Sequence, residues 1–145
     1  MHILIVFDSN FGNTKKVADY IATLFSNTAV SKAVGDVTAK DFVGLDLLIV
    51  GSPINAWNPT TKIKLFLRTL DPVLLKGIKG AAFDTRINSL LSGNAARKIA
   101  RTLENSGVKM IAPPVGFFVK GKEGPLSEGE LKRAENWVQG IKTKL

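Results

Sequence analysis

Cysteine is absent from this chain, and histidine and tyrosine occur once each in 145 residues. Without thiols there is no disulfide framework, no thiolate nucleophile and no cysteine-based zinc or iron–sulfur site. His2 alone cannot assemble a histidine metal cluster, so no metal site and no catalytic dyad is expected. Long apolar runs are missing too: Leu45–Val50, itself interrupted by Asp46, falls far short of the roughly 20 residues a membrane span needs. The opening Met1-His2-Ile3-Leu4 carries no basic leader, so no secretory signal and no membrane association is expected, and the cytoplasm is the expected location.

What is present is an ordinary apolar fraction, 45%, with 22% charged residues, enough to build one packed core. A single domain over residues 1–145 follows from that length. Charge is the unusual component. Residues 61–109 hold ten basic and three acidic side chains, which accounts for +7 of the net +8. Such a field attracts anionic partners; solvated helix surface is the competing explanation.

Strand and helix patterns alternate along the chain. Ile3–Phe7 and Leu47–Val50 are continuous apolar runs, the pattern of strands buried on both faces. Val17, Ile21, Leu24 and Phe25 fall on one helical face, as do Ile63, Phe66, Leu67 and Leu70, then Ala96, Ile99, Ala100 and Leu103. Ala29–Val34 reads as a weaker edge strand, Thr38–Asp41 as a capping box opening a short helix, and Ala81–Phe83 as a short strand. Val108–Val119 reads as a last strand broken at Pro113-Pro114, because proline cannot donate to a ladder. Ser127–Glu130 reads as a second capping box, followed by the stripe Leu131, Ala134, Val138 and Ile141. Five strands alternating with helices predict an α/β fold with a doubly wound parallel sheet. In such sheets ligands sit outside the carboxyl ends of the strands, which directs attention to loops 8–14, 51–60, 84–93 and 120–126.

The first of these loops, Asp8-Ser9-Asn10-Phe11-Gly12-Asn13-Thr14, runs directly into a helix. A helix start offers unpaired N–H groups and a partial positive charge to an anion. Ser9, Asn13 and Thr14 add neutral hydrogen-bonding groups, and Gly12 lets backbone approach closely. A second possibility is that Asn13 or Thr14 simply caps the helix. The chain has neither a G-x-G-x-x-G nor a G-x-x-x-x-G-K-S/T element, which removes the main support for dinucleotides and nucleoside triphosphates.

With Ser9, Gly12, Asn13 and Thr14 in these places, the loop resembles the phosphate loop of flavodoxins, with Phe11 where a hydroxyl residue is usual. The resemblance extends to Val50-Gly51-Ser52-Pro53 with Trp57 following, to the Gly80–Thr85 strand and to Glu123-Gly124-Pro125-Leu126. The total length resembles the short-chain branch. It implies a five-stranded sheet of order 2-1-3-4-5 and noncovalently bound FMN. Ser9, Asn10, Phe11, Gly12, Asn13 and Thr14 would hold its phosphate. Ser52, Pro53, Ile54, Asn55, Ala56 and Trp57 would form one side of the ring site, and Asp84, Thr85, Arg86 and Asn88 the other.

Trp57 stands in a polar loop beside Asn55 and Asn58, where an aromatic residue is poorly explained as core. The resemblance gives it a stacking role; folding back onto Ile63 is the alternative. Trp137 adjoins the Ala134/Val138 stripe and is expected in the core. The loop after the fourth strand has no aromatic residue between Asp84 and Gly93, so that ring face is covered by Ile87 or Leu90 or stays open. Arg86, with Lys62 and Lys64 near Trp57, would place positive charge by the ring and make its couple less reducing than that of an acidic relative. Where the family often has glycine, this chain has Asn55 and Ala56, and alanine adopts positive φ at a cost.

The function this implies is a carrier that passes electrons between redox partner proteins, acidic ones given the basic middle third. The first competitor is a small FMN-dependent reductase of quinones or similar molecules, oxidising NAD(P)H. A phosphorylated receiver module needs an acidic pair after the first strand and an acceptor aspartate after the third; only Asp8 is present, and Gly51-Ser52 occupies the other place. Nucleic-acid binding rests on net charge alone, without an aromatic–basic motif, and ranks last.

Overall fold

The computed structural model describes residues 1–145. Strand β1 (Ile3–Phe7) leads into α1 (Asn13–Leu24), and β2 (Ala29–Ala33) is followed by two 3-10 turns, Val34–Asp36 and Ala39–Phe42. Then come β3 (Leu47–Pro53), α2 (Thr61–Thr69), the short α3 (Pro72–Leu75), β4 (Lys79–Ile87) and α4 (Ala95–Asn105). The chain closes with β5 (Lys109–Met110), β6 (Val115–Val119) and α5 (Glu130–Lys142). All strand pairs are parallel, in the order β2-β1-β3-β4-β5, with β6 also on β4. The strand order reverses between β1 and β3.

The predicted fifth strand is therefore two pieces sharing one place in the sheet. β5 pairs with the start of β4 and β6 with its end, and the missing donors of Pro113 and Pro114 account for the gap. Trp137 fastens it: its indole N–H donates to the Pro113 carbonyl at 3.0 Å, and its ring packs edge-on against Phe83 and Phe117.

Period-two alternation divides the core. Ile3, Ile5 and Phe7 face α1 and α5, meeting Val17, Ile21, Val138 and Ile141. Leu4 and Val6 face α2 and α4, meeting Ile63, Leu67, Ile99 and Leu103. Each such side chain contributes about 1.5–3 kcal/mol when fully buried, which holds the carboxyl ends of β1, β3 and β4 in fixed register.

Two expectations need correction. The strand predicted over Ala81–Phe83 continues to Ile87, so Asp84, Thr85 and Arg86 are strand residues and the loop begins at Asn88. Their polar side chains disguise it: Asp84 and Arg86, two residues apart, point to one face and neutralise each other. The Ser127–Glu130 capping box does not form. Helix α5 starts after Gly129 at φ 82° without a side-chain cap. The Glu130 carboxylate instead accepts the Phe118 N–H at 2.7 Å, tying α5 to β6. The Thr38–Asp41 signal holds, with the Asp41 carboxylate accepting the Thr38 N–H at 2.8 Å.

Candidate functional site

A cleft of about 360 Å³ opens at the carboxyl ends of β1, β3, β4 and β6. Its size is within the range of small-molecule sites, about 300–1,000 Å³, and its place is the switch point where such sheets bind ligands.

The β1–α1 loop forms one wall, with Ser9, Asn10, Phe11, Asn13 and Thr14 lining the cleft. Gly12 is the residue before the helix, at φ 93°, and no side chain caps the first turn. The cap reading of Asn13 and Thr14 is thereby overturned. Asn13 sends its amide to the Glu123 carbonyl at 3.1 Å, and the Thr14 hydroxyl is 2.8 Å from that of Thr85. The backbone N–H groups of Asn13, Thr14 and Lys15 have no acceptor within the chain. Gly12 itself does not line the cleft, whereas Asn13 and Thr14 after it do; its φ is left-handed, and a Cβ there would meet nothing within 4 Å. The Ser9 hydroxyl accepts the Gly12 N–H at 3.0 Å and fixes the loop.

The β3–α2 loop supplies the facing wall through Pro53, Ile54, Asn55, Ala56 and Trp57. Asn55 and Asn58 exchange both backbone hydrogen bonds, at 2.8 and 2.9 Å, around Ala56 and Trp57 at φ 47° and 67°. Two central residues at positive φ mark a type I′ turn. Both residues thus already occupy the left-handed region that alanine was expected to resist, at about 1–2 kcal/mol each. Trp57 is exposed rather than packed back into the core, and its indole N–H donates to the Leu91 carbonyl at 2.7 Å. Gly93 lies directly against it: a Cβ there would sit 2.6 Å from Trp57 Cδ1. Asn55 also accepts from the Asn10 amide at 3.2 Å, joining the two walls. Ser52 lies beneath this loop, fully buried, its hydroxyl accepting the Thr60 N–H at 3.0 Å; it positions the start of α2 rather than lining the cleft.

From β4, Thr85 and Arg86 reach the cleft, while Asp84 and Asn88 do not line it. Asp84 is fully buried and accepts from Arg86 Nε and Nη2, at 2.7 and 2.6 Å, and from the Ala96 N–H at 2.8 Å. Burial pushes its carboxyl above the usual aspartate range, with the Arg86 hydrogen bonds pulling against that. Arg86 also donates to Asn94, the N-cap of α4, at 3.1 Å. The expected positive charge at Arg86 is therefore balanced locally by the Asp84 carboxylate. Lys62 and Lys64 are exposed on α2, outside the cleft lining.

Ile87, Leu91, Ser92, Val119 and Lys122 complete the lining. Of the two residues expected at that face, Ile87 lines the cleft and Leu90 is turned wholly to solvent. Ser92, Val119 and Lys122 carry no local motif, and only the flagged 84–93 and 120–126 loops pointed near them. No lining residue is a carboxylate or a histidine.

The donor set fits a phosphorylated, flat, largely apolar group. Unbonded amides and neutral side chains suit a phosphate ester at one end, and Trp57, Ile54, Ile87 and Leu91 offer an apolar slot at the other.

The flavodoxin-domain family model matches residues 4–122. Sixty-eight residues are 35% identical to a flavodoxin of Aquifex aeolicus, covering 44% of this chain and 37% of that protein. A flavodoxin from the domain Archaea superposes with a TM-score of 0.83 at 20% identity over the whole of both chains. Oxidised flavodoxin 1 of Bacillus cereus gives 0.82 at 17% identity, covering 100% of this chain and 99% of the other. At these identities the superpositions speak for the fold, while the family match speaks for descent. No helix is long and apolar enough to cross a membrane.

Proposed function

Since this chain belongs to the flavodoxin-domain family, we propose that it binds FMN noncovalently and carries electrons between redox partner proteins in the cytoplasm. When bound, the flavin supplies reversible one- and two-electron chemistry. The observation that carries the reading is the uncapped first turn of α1 opening into the same cleft that Trp57 borders. The amides of Asn13, Thr14 and Lys15 would hold the phosphate, with Ser9 and Asn10 beside it. Trp57, held in place by Leu91 and Gly93, would lie along the ring. The half-open cleft leaves a ring edge within reach of another protein.

Titration with FMN, followed by tryptophan emission, tests this. Binding should quench the Trp57 component and leave that of Trp137, FMN should bind more than about tenfold tighter than riboflavin, and Trp57→Ala should lose most of the quenching. Unchanged emission and no retained visible colour would overturn it.

A second reading, an FMN-dependent NAD(P)H oxidoreductase, is favoured by one feature: the wall formed by residues 87–92 carries no aromatic ring and leaves space for a small substrate. Against it, no lining side chain is a carboxylate or histidine placed to move a proton. Sustained NAD(P)H oxidation with a quinone, without any added protein, would favour the reductase.

A further inference from the structure

Around the mouth of the cleft, Leu90 and Leu91 stand in solvent, 104% and 81% exposed, next to Trp57 at 59%. Their loop is firmly built. The Ser92 hydroxyl donates to the Ile87 carbonyl at 2.5 Å, the Ser89 hydroxyl accepts the Leu91 N–H at 3.1 Å, and the Leu91 carbonyl holds the Trp57 indole. Two leucines on a hydrogen-bonded tip, Leu91 at the edge of the cleft lining and Leu90 outside it, have the form of the dry centre of a contact.

The charge beside them is equally one-sided. Helices α2 and α4 lie side by side and begin at this end of the sheet; Lys98 of α4 reaches the Asn58 side chain at 2.9 Å, next to Trp57. Lys62, Lys64 and Arg68 on α2, and Arg97, Lys98 and Arg101 on α4, are exposed, and none forms an ion pair. Across the molecule, on α1 and α5, Lys15, Lys132 and Arg133 each pair with a carboxylate. Six unpaired cations thus gather on the α2–α4 side of the cleft, against one each on α1 and α5, Lys16 and Lys142.

We propose that the 87–92 loop, with α2 and α4, is the docking face for an acidic electron-transfer protein, whose apolar spot covers Leu90 and Leu91 while its carboxylates meet the α2–α4 cations. The proposal rests on reading the cleft as a redox site. Charge complementarity selects an acidic partner and speeds its arrival; the leucines select a protein. Nucleic acid would take phosphate contacts and stacking platforms, and two leucines provide neither.

The test is a titration of the isotope-labelled protein with an oxidised acidic [2Fe–2S] ferredoxin as probe, and separately with a DNA duplex of about 20 base pairs, followed by amide NMR shifts. Docking as proposed shifts Trp57, residues 87–92 and the first turns of α2 and α4. Affinity then falls at least about tenfold between about 25 and 200 mM salt. Leu90→Ser with Leu91→Ser weakens binding more than about fivefold at both salt levels, and Arg97→Glu with Arg101→Glu does so chiefly at low salt. Circular dichroism confirms that these surface variants remain folded. Shifts on the α1–α5 side, no shifts with either probe, or tighter binding of the duplex on this face would each overturn the proposal. None of these readings needs bound flavin, so failure of the FMN titration overturns the cofactor reading separately.

Discussion

Ala56 and Trp57 occupy the two central places of a type I′ turn, places that glycine and asparagine fill without penalty. The hairpin persists because its neighbours hold it: Asn58 is bonded to Lys98, Asn55 to Asn10, and the Trp57 indole to Leu91. Ala56→Gly should relieve one residue's strain and raise the urea midpoint by the equivalent of about 1 kcal/mol. Gly93→Ala should do the reverse, because its Cβ would meet Trp57 Cδ1 at 2.6 Å; the tryptophan must move, and FMN titration should show weaker quenching. Asp84 matters through Arg86. Asp84→Asn leaves a half-buried guanidinium without its counter-charge, and urea denaturation should record a loss of about 3 kcal/mol. Residues bearing short-range signals were legible in the sequence, as with Ser9 to Thr14 and Trp57. Asp84 was not, because a charged residue in a chain segment reads as loop until its partner two residues on, and the α4 amide above it, are known.

At the scale of elements, periodicity exposed every major strand and the long helices, since a face that must be buried repeats with the geometry of its backbone. Ends were harder. The Thr38 and Ser127 segments carry the same capping pattern, yet only the first uses it; Glu130 is drawn away by the Phe118 amide of β6, a contact between segments that no local pattern contains. The 3-10 turn at Ala39–Phe42 makes a pH prediction. Asp41 is held below its usual range chiefly by hydrogen bonding to Lys32, aided by the Thr38 amide. A depressed carboxylate stabilises the fold above its unfolded value, near 3.9, and that stability is lost as pH falls through the lower folded value. Wild type should therefore lose stability more steeply than Asp41→Asn across that acidic window, and the two should differ by a constant amount above about pH 5 in urea melts.

For the molecule as a whole, the net charge of +8 acts against compactness, because the exposed cations of α2 and α4 have no ion-pair partners. Raising salt from about 0.02 to 0.2 M should screen that repulsion and lift the melting temperature by about 3 °C in calorimetry. The parallel α/β class was within reach of the sequence through the alternation of strands and helices, and the sheet order through the family resemblance. The placing of Ser92, Val119 and Lys122 was not, since it follows from how three loops converge in space. The split between β5 and β6 has one more effect. A long flat border strand invites a second molecule to extend the sheet, whereas here the proline pair denies it a continuous row of donors and the opposite border is a five-residue strand bearing Lys32. Concentrated solutions of this protein should accordingly resist growth into fibrils by edge-on stacking.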